Sequence, residues 1–163
     1  MQSNDTQQPE ILIIGYGNPL RGDDGLGWHI ASTLAEKNSQ QTTTSPLLVL
    51  PRHQLTPELA EPISQAIFVI FIDARLGETP GQIQSLMLAP QASTDAFTHH
   101  VDPASLLLLA QSLYGSCPPA ALLSITGDSF GYNEYISPVV QQRLPTLMQQ
   151  LEALIEQARL LNR

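Results

Sequence analysis

The chain has 163 residues, 42% of them hydrophobic, and a formal net charge of −8. That length and composition suit one globular domain with a full hydrophobic core. The acidity argues against nucleic acid and anionic membranes as partners, because both call for a basic surface.

Cys117 is the only cysteine. It rules out a disulfide within the chain and any CxxC metal or redox site, and nothing points to an oxidising compartment. Residues 1–10 are polar and read as a flexible tail to a single domain spanning 1–163. They lack the basic start and apolar core of a signal peptide. No apolar stretch has the length of a membrane span. A cytoplasmic monomer is the expectation.

Ile11-Leu12-Ile13-Ile14 reads as a first strand, followed by the glycine-rich segment Gly15 to Gly27. A helix is predicted from about Asp24 to Lys37, with Gly27, Ile30, Ala31 and Leu34 on one apolar face. Asn38 to Pro46 is a polar linker. Leu47 to Leu50 is a second strand, expected to stop at Pro51. Thr56-Pro57 signals a helix start, with Thr56 as N-cap and Leu59 and Ile63 turned inward. The apolar run Ala66 to Ile72 then reads as a central strand buried on both faces, with Asp73 at its carboxyl end.

Gln82 to Leu88 is a weaker strand, placed at an edge. Asp102-Pro103 opens a helix that runs through Leu113, and Ala120 to Thr126 is a fifth strand. Gly127 to Ile136 is a polar and aromatic loop. Ser137-Pro138 opens the last helix, where Pro145 predicts a kink or a later start. Strands alternating with helices predict a three-layer α/β sandwich around a mostly parallel, twisted, five-stranded sheet.

The chemistry concentrates at strand ends. Gly15-x-Gly17 invites a dinucleotide reading, but Leu20 stands where a third glycine is needed, so the fingerprint fails. Asp23 and Asp24 would also repel an anion at the helix start. The loop is better suited to presenting carboxylates. Asp23 reads as a helix cap and Asp24 as the functional acid. Asp73 has a bland alternative, satisfaction by loop amides or Arg75. In a flavodoxin-like strand order, however, the first and third strands flank the switch point, and Asp24 and Asp73 meet in one crevice. Of the histidines, His29 lies within the first helix as a surface or packing residue. His53 follows the second strand and is a reserve candidate. His99 and His100 precede the Asp102 helix, and at most one of that pair reaches a site easily. Two carboxylates and one imidazole suit an open site for nickel, zinc or a similar borderline ion.

Gly15-Tyr16-Gly17-Asn18-x-Leu20-x-x-Asp23-Asp24-Gly25-x-Gly27 after the first strand resembles the opening motif of the [NiFe]-hydrogenase maturation proteases, also called hydrogenase-specific C-terminal endopeptidases. The resemblance continues through Val69-Ile70-Phe71-Ile72-Asp73-Ala74 and Thr98-His99-His100, and ends at Ser137-Pro138-Val139. It implies that Asp24, Asp73 and His100 are the metal ligands and catalytic residues. It further implies cleavage of a C-terminal tail from the hydrogenase large-subunit precursor after nickel insertion. The nickel is carried by the precursor, with zinc or another divalent ion as an in vitro substitute. The segment Pro51 to Thr56 departs from the glycine-rich pattern of relatives. Phe130, Tyr132 and Tyr135 are candidates for a precursor-binding surface. No G-x-S-x-G or H-E-x-x-H motif offers a self-contained serine or zinc protease. The alternatives are a non-catalytic assembly factor that checks the nickel-loaded precursor and, more remotely, a nucleotide-binding module.

Overall fold

The structure, a computed structural model, describes residues 11–40, 47–93 and 100–161. The first ten residues, read above as a tail, and His99 lie outside the described residues. In chain order the elements are β1 (Ile11–Tyr16), α1 (Leu26–Gln40), β2 (Leu47–Arg52), α2 (Ala60–Gln65), β3 (Phe68–Arg75), β4 (Ile83–Leu88), α3 (Pro103–Tyr114), β5 (Ala120–Thr126) and α4 (Pro138–Leu160). Single 3-10 turns at Gly22–Gly25 and Pro57–Leu59 lead into α1 and α2. Among the described residues no helix is long and apolar enough to cross a membrane.

The five strands form one sheet in the order β2-β1-β3-β5-β4. All pairings are parallel except β4 with β5. The result is the expected three-layer α/β sandwich. Strand alternation sorts the core into two layers. Ile11, Ile13, Phe68, Ile70 and Ile72 pack on one face with Leu26, Ile30 and Ala31 of α1 and Val140, Leu147 and Leu151 of α4. Leu12, Ile14, Val69 and Phe71 pack on the other with Ile63 of α2 and Leu106, Leu107 and Ala110 of α3. β1 and β3 are buried on both faces, which explains why they read as continuous apolar runs.

Several boundaries differ from the sequence reading. β2 continues through Pro51 to Arg52 because it is an edge strand, where a missing N–H breaks no interior ladder. β3 continues two residues past Asp73, paired with β5 out to Arg75 and Thr126. Thr56 has the extended backbone of a cap, but its side chain makes no capping bond. α4 does not start late: it runs from Pro138 through Pro145, whose exposed position leaves the released carbonyl of Gln141 to solvent. The Asp102 start is confirmed in detail. Asp102 and Ser105 form a reciprocal capping box, and α3 ends on left-handed Gly115.

Candidate active site

The carboxyl ends of β1 and β3 meet at the point where the chain switches from one side of the sheet to the other. Alternation along β3 turns Asp73 to the same face as Val69 and Phe71, the face covered by α2 and α3. Gly15 is opposite Ile72 and Asp73 opposite Ser124. The next step of the β1–β3 register sets Tyr16 beside Asp73. Tyr16, Asp73 and buried Ser124 therefore form a polar row where the apolar layer ends.

The segment after β1 folds tightly over this row. Gly17 has φ +140°, and a Cβ there would run into the carbonyl of Asp24. A Cβ on Gly27 would strike the carbonyls of Ile72 and Tyr16, so glycine lets α1 settle directly onto the strand ends. Asp24 lies in the 3-10 turn, where its Oδ2 accepts a hydrogen bond from the Asn18 N–H at 2.9 Å.

Asp23 does not cap the helix that follows it. It is fully buried, and its carboxylate accepts bonds from the N–H groups of Asp128 (2.8 Å), Ser129 (3.0 Å) and Ser137 (2.7 Å) and from the Ser137 Oγ (2.7 Å). Burial alone would raise its pKa, but these bonds outweigh it and hold the carboxyl below its usual range. Backbone bonds from Gly22 to Asn133 and from Asp23 to Ser129 complete the tie. Asp23 thus joins the β1 loop to the β5 loop and to the start of α4, and so fixes the turn that carries Asp24.

Asp24, Asp73 and His100 line one cleft of about 840 Å³, together with Tyr16, Asn18, Arg21 and His53. The structure thus brings all three sequence-predicted site residues to a single cavity. His100 is exposed on the approach to α3. His53, the reserve candidate, is also exposed on the cleft wall, edge-on to Trp28 with ring centroids 5.8 Å apart. His29 stays out of the cleft. Its Nε2 is buried without a partner and burial lowers its pKa, which fits a packing residue. Among the described residues no three His, Cys, Asp or Glu side chains are close enough together to hold a metal ion by themselves. The donors are of a kind that suits a borderline divalent ion, but they are spread along the cleft wall.

Burial raises the Asp73 carboxyl to about 7, and the charge of Asp24 adds to the rise. The Tyr16 hydroxyl and the Ala74 N–H oppose it. Tyr16 itself is raised well above its ordinary value, first by burial and then by Asp73, so it stays a phenol. A carboxyl poised near neutrality on a cleft wall is suited to exchanging a proton or to gaining a cation. Tyr16 was not singled out from the sequence as a site residue. Its signal was positional: it is the β1 residue that faces the same side as Leu12 and Ile14, one step past the apolar run.

No protein-family model and no curated protein matches the chain. Solved structures do. The hydrogenase maturating endopeptidase HybD from E. coli superposes with a TM-score of 0.68 at 24% identity, covering 91% of this chain and 93% of its own. The [NiFe] hydrogenase maturation protease HybD from Thermococcus kodakarensis gives 0.66 at 20% identity, with 89% and 98% covered. HycI from the same organism gives 0.60 at 24% identity, with 97% and 96% covered. The likeness runs nearly end to end in both directions. The chain has the fold of the [NiFe]-hydrogenase maturation proteases, the family its opening motif resembles.

Proposed function

We propose that the chain is an endopeptidase that removes the C-terminal extension of a nickel-loaded [NiFe]-hydrogenase large-subunit precursor in the cytoplasm. The observation that carries this reading is the shared cleft. Asp24, Asp73 and His100, drawn from three separate segments, line one cavity at the sheet's switch point. The fold, common to enzymes named as hydrogenase maturation endopeptidases, supports it.

In this reading nickel belongs to the substrate. The three side chains, spread along the cleft, would hold the metal that the precursor brings, Asp24 and Asp73 through an oxygen and His100 through a nitrogen. Nickel held there would supply Lewis-acid chemistry to the scissile carbonyl or its attacking water. One of the two carboxylates, Asp24 or Asp73, takes the proton of that water. Zinc or another divalent ion competes for the same donors in vitro.

Incubating nickel-loaded precursor with the wild-type chain and with Asp73→Asn tests the proposal. The wild type should shorten the precursor, and the folded variant should leave it intact. A folded Asp73→Asn protein that processes normally would remove Asp73 from the mechanism.

A further inference from the structure

The cleft opens beside an unusual lip. Tyr132 and Tyr135, on the loop before α4, are 91% and 79% exposed, and Leu20, on the loop after β1, is 56% exposed. The Arg21 guanidinium lies over the Tyr132 ring, 5.8 Å from its centroid. Leu20 and Arg21 also line the cleft, so the lip and the cavity are continuous.

This lip is exposed but firmly held. Arg21 and Asn133 form a bridge between the two loops, and Gly22 donates to the Asn133 carbonyl at 2.7 Å. The Asn133 side chain accepts from the Tyr135 N–H at 3.0 Å, and Asp23 ties the base of both loops. Large aromatic side chains on a fixed backbone lose little conformational freedom on binding. Tyr and Arg are also the residues that most often anchor an interface.

Charge narrows the occupant. The only ion pair among the described residues is Arg159 with Glu156, far along α4. Arg52, Arg75 and Arg143 each donate to oxygens of the chain, whereas Arg21 has no hydrogen-bond acceptor among the described residues. A lone guanidinium over an aromatic face, in a chain of net charge −8, fits a carboxylate brought by a partner. A second copy of the same acidic chain is disfavoured by the repulsion between two such charges.

We infer that Leu20, Arg21, Tyr132 and Tyr135 dock the folded body of the polypeptide whose tail enters the cleft, through an apolar side chain seated against Tyr132 and Leu20 and an acidic one paired with Arg21. The inference rests on the reading of the cleft as a precursor-processing site. It adds a docking surface outside the residues that reach the metal.

Processing of nickel-loaded precursor by the wild type, Tyr132→Ala and Arg21→Glu tests it, with circular dichroism to verify folding. Tyr132→Ala should raise KM about tenfold or more, with the loss in KM and not in kcat. Arg21→Glu should raise KM further, because it sets like charges together. Unchanged KM in both folded variants overturns the docking surface while leaving the protease reading in place. A fall in kcat at unchanged KM also overturns it, since the loop would then act only by shaping the Asp24 turn. If light scattering shows a wild-type dimer that Tyr132→Ala dissociates, the lip is a self-interface and the inference fails. If the wild type does not cut, co-purification of intact precursor decides separately. Binding lost in Tyr132→Ala supports docking without proteolysis, and no binding by the wild type removes both readings.

Discussion

Tyr16 and Asp73 stand side by side on neighbouring central strands, one register step beyond the Gly15–Ile72 pair and on the face covered by α2 and α3. The phenol opposes the effect of burial on the carboxyl, which still sits near 7. Removing the hydroxyl should therefore raise the Asp73 pKa further. If Asp73 acts as a base or metal ligand, Tyr16→Phe should shift the rising limb of the pH–rate profile to higher pH. Activity lost at pH 7 should return toward pH 8–9. An unchanged midpoint would show that the phenol does not tune Asp73.

The raised pKa also sets a stability prediction. In the unfolded chain Asp73 ionises near 3.8, and in the folded protein near 7. Between those values the folded state binds more protons, so stability falls as pH rises. The contribution is complete below about pH 4 and lost above about pH 7. Asp73→Asn removes this cost of ionisation. The variant should match the wild type near pH 4 and exceed it at pH 8 by at most about 4 kcal/mol. Urea unfolding of both proteins across that range measures the difference, and parallel pH curves would contradict it.

Asp23 makes the opposite prediction. Its lowered pKa and four hydrogen bonds stabilise the fold above the unfolded carboxylate value, and that contribution is lost as pH falls through the folded one. Asp23→Ala strands the two buried Ser137 donors and the half-buried Ser129 N–H and should cost about 3–5 kcal/mol. Ser137→Ala removes one partner and should cost about 1 kcal/mol. Chemical denaturation checks both. A neutral Asp23→Ala would mean that water replaces the carboxylate.

The two histidines of the cleft wall should separate cleanly. His100→Ala removes a proposed ligand and should lower the processing rate at least 100-fold. His53→Ala should lower it less than tenfold, since His53 sits edge-on to Trp28 at the cleft rim. Single-turnover kinetics decide the order. The reverse ranking would move the imidazole ligand to the β2 side of the cleft.

What the sequence disclosed and what it hid follow one pattern. Continuous apolar runs revealed β1, β3 and β5 because these strands are buried on both faces. The cap-then-proline pairs marked the starts of α3 and α4 because those signals act within four residues. Asp73 and Pro51 hid the true strand ends: a polar or imino residue looks like a stop, yet strand pairing depends on the partner's backbone. Asp23 was misread for a related reason. An aspartate before a helix resembles a cap, while its actual partners lie 105 to 114 residues downstream. Asp24, Asp73 and His100 were legible as types and positions. The meeting of Asp24 and Asp73 in one crevice was legible too, from the flavodoxin-like strand order, whereas the place of His100 in it was not, because it depends on α3 lying over the same face.

The most direct test is the intact mass of a nickel-loaded large-subunit precursor before and after incubation with this protein, with nickel-free precursor alongside. The account predicts loss of a C-terminal peptide from the nickel-loaded sample and no change in the nickel-free one. Equal cleavage of both would contradict a metal delivered by the substrate. Binding without any change in mass would contradict the protease itself and leave a factor that only inspects the loaded precursor.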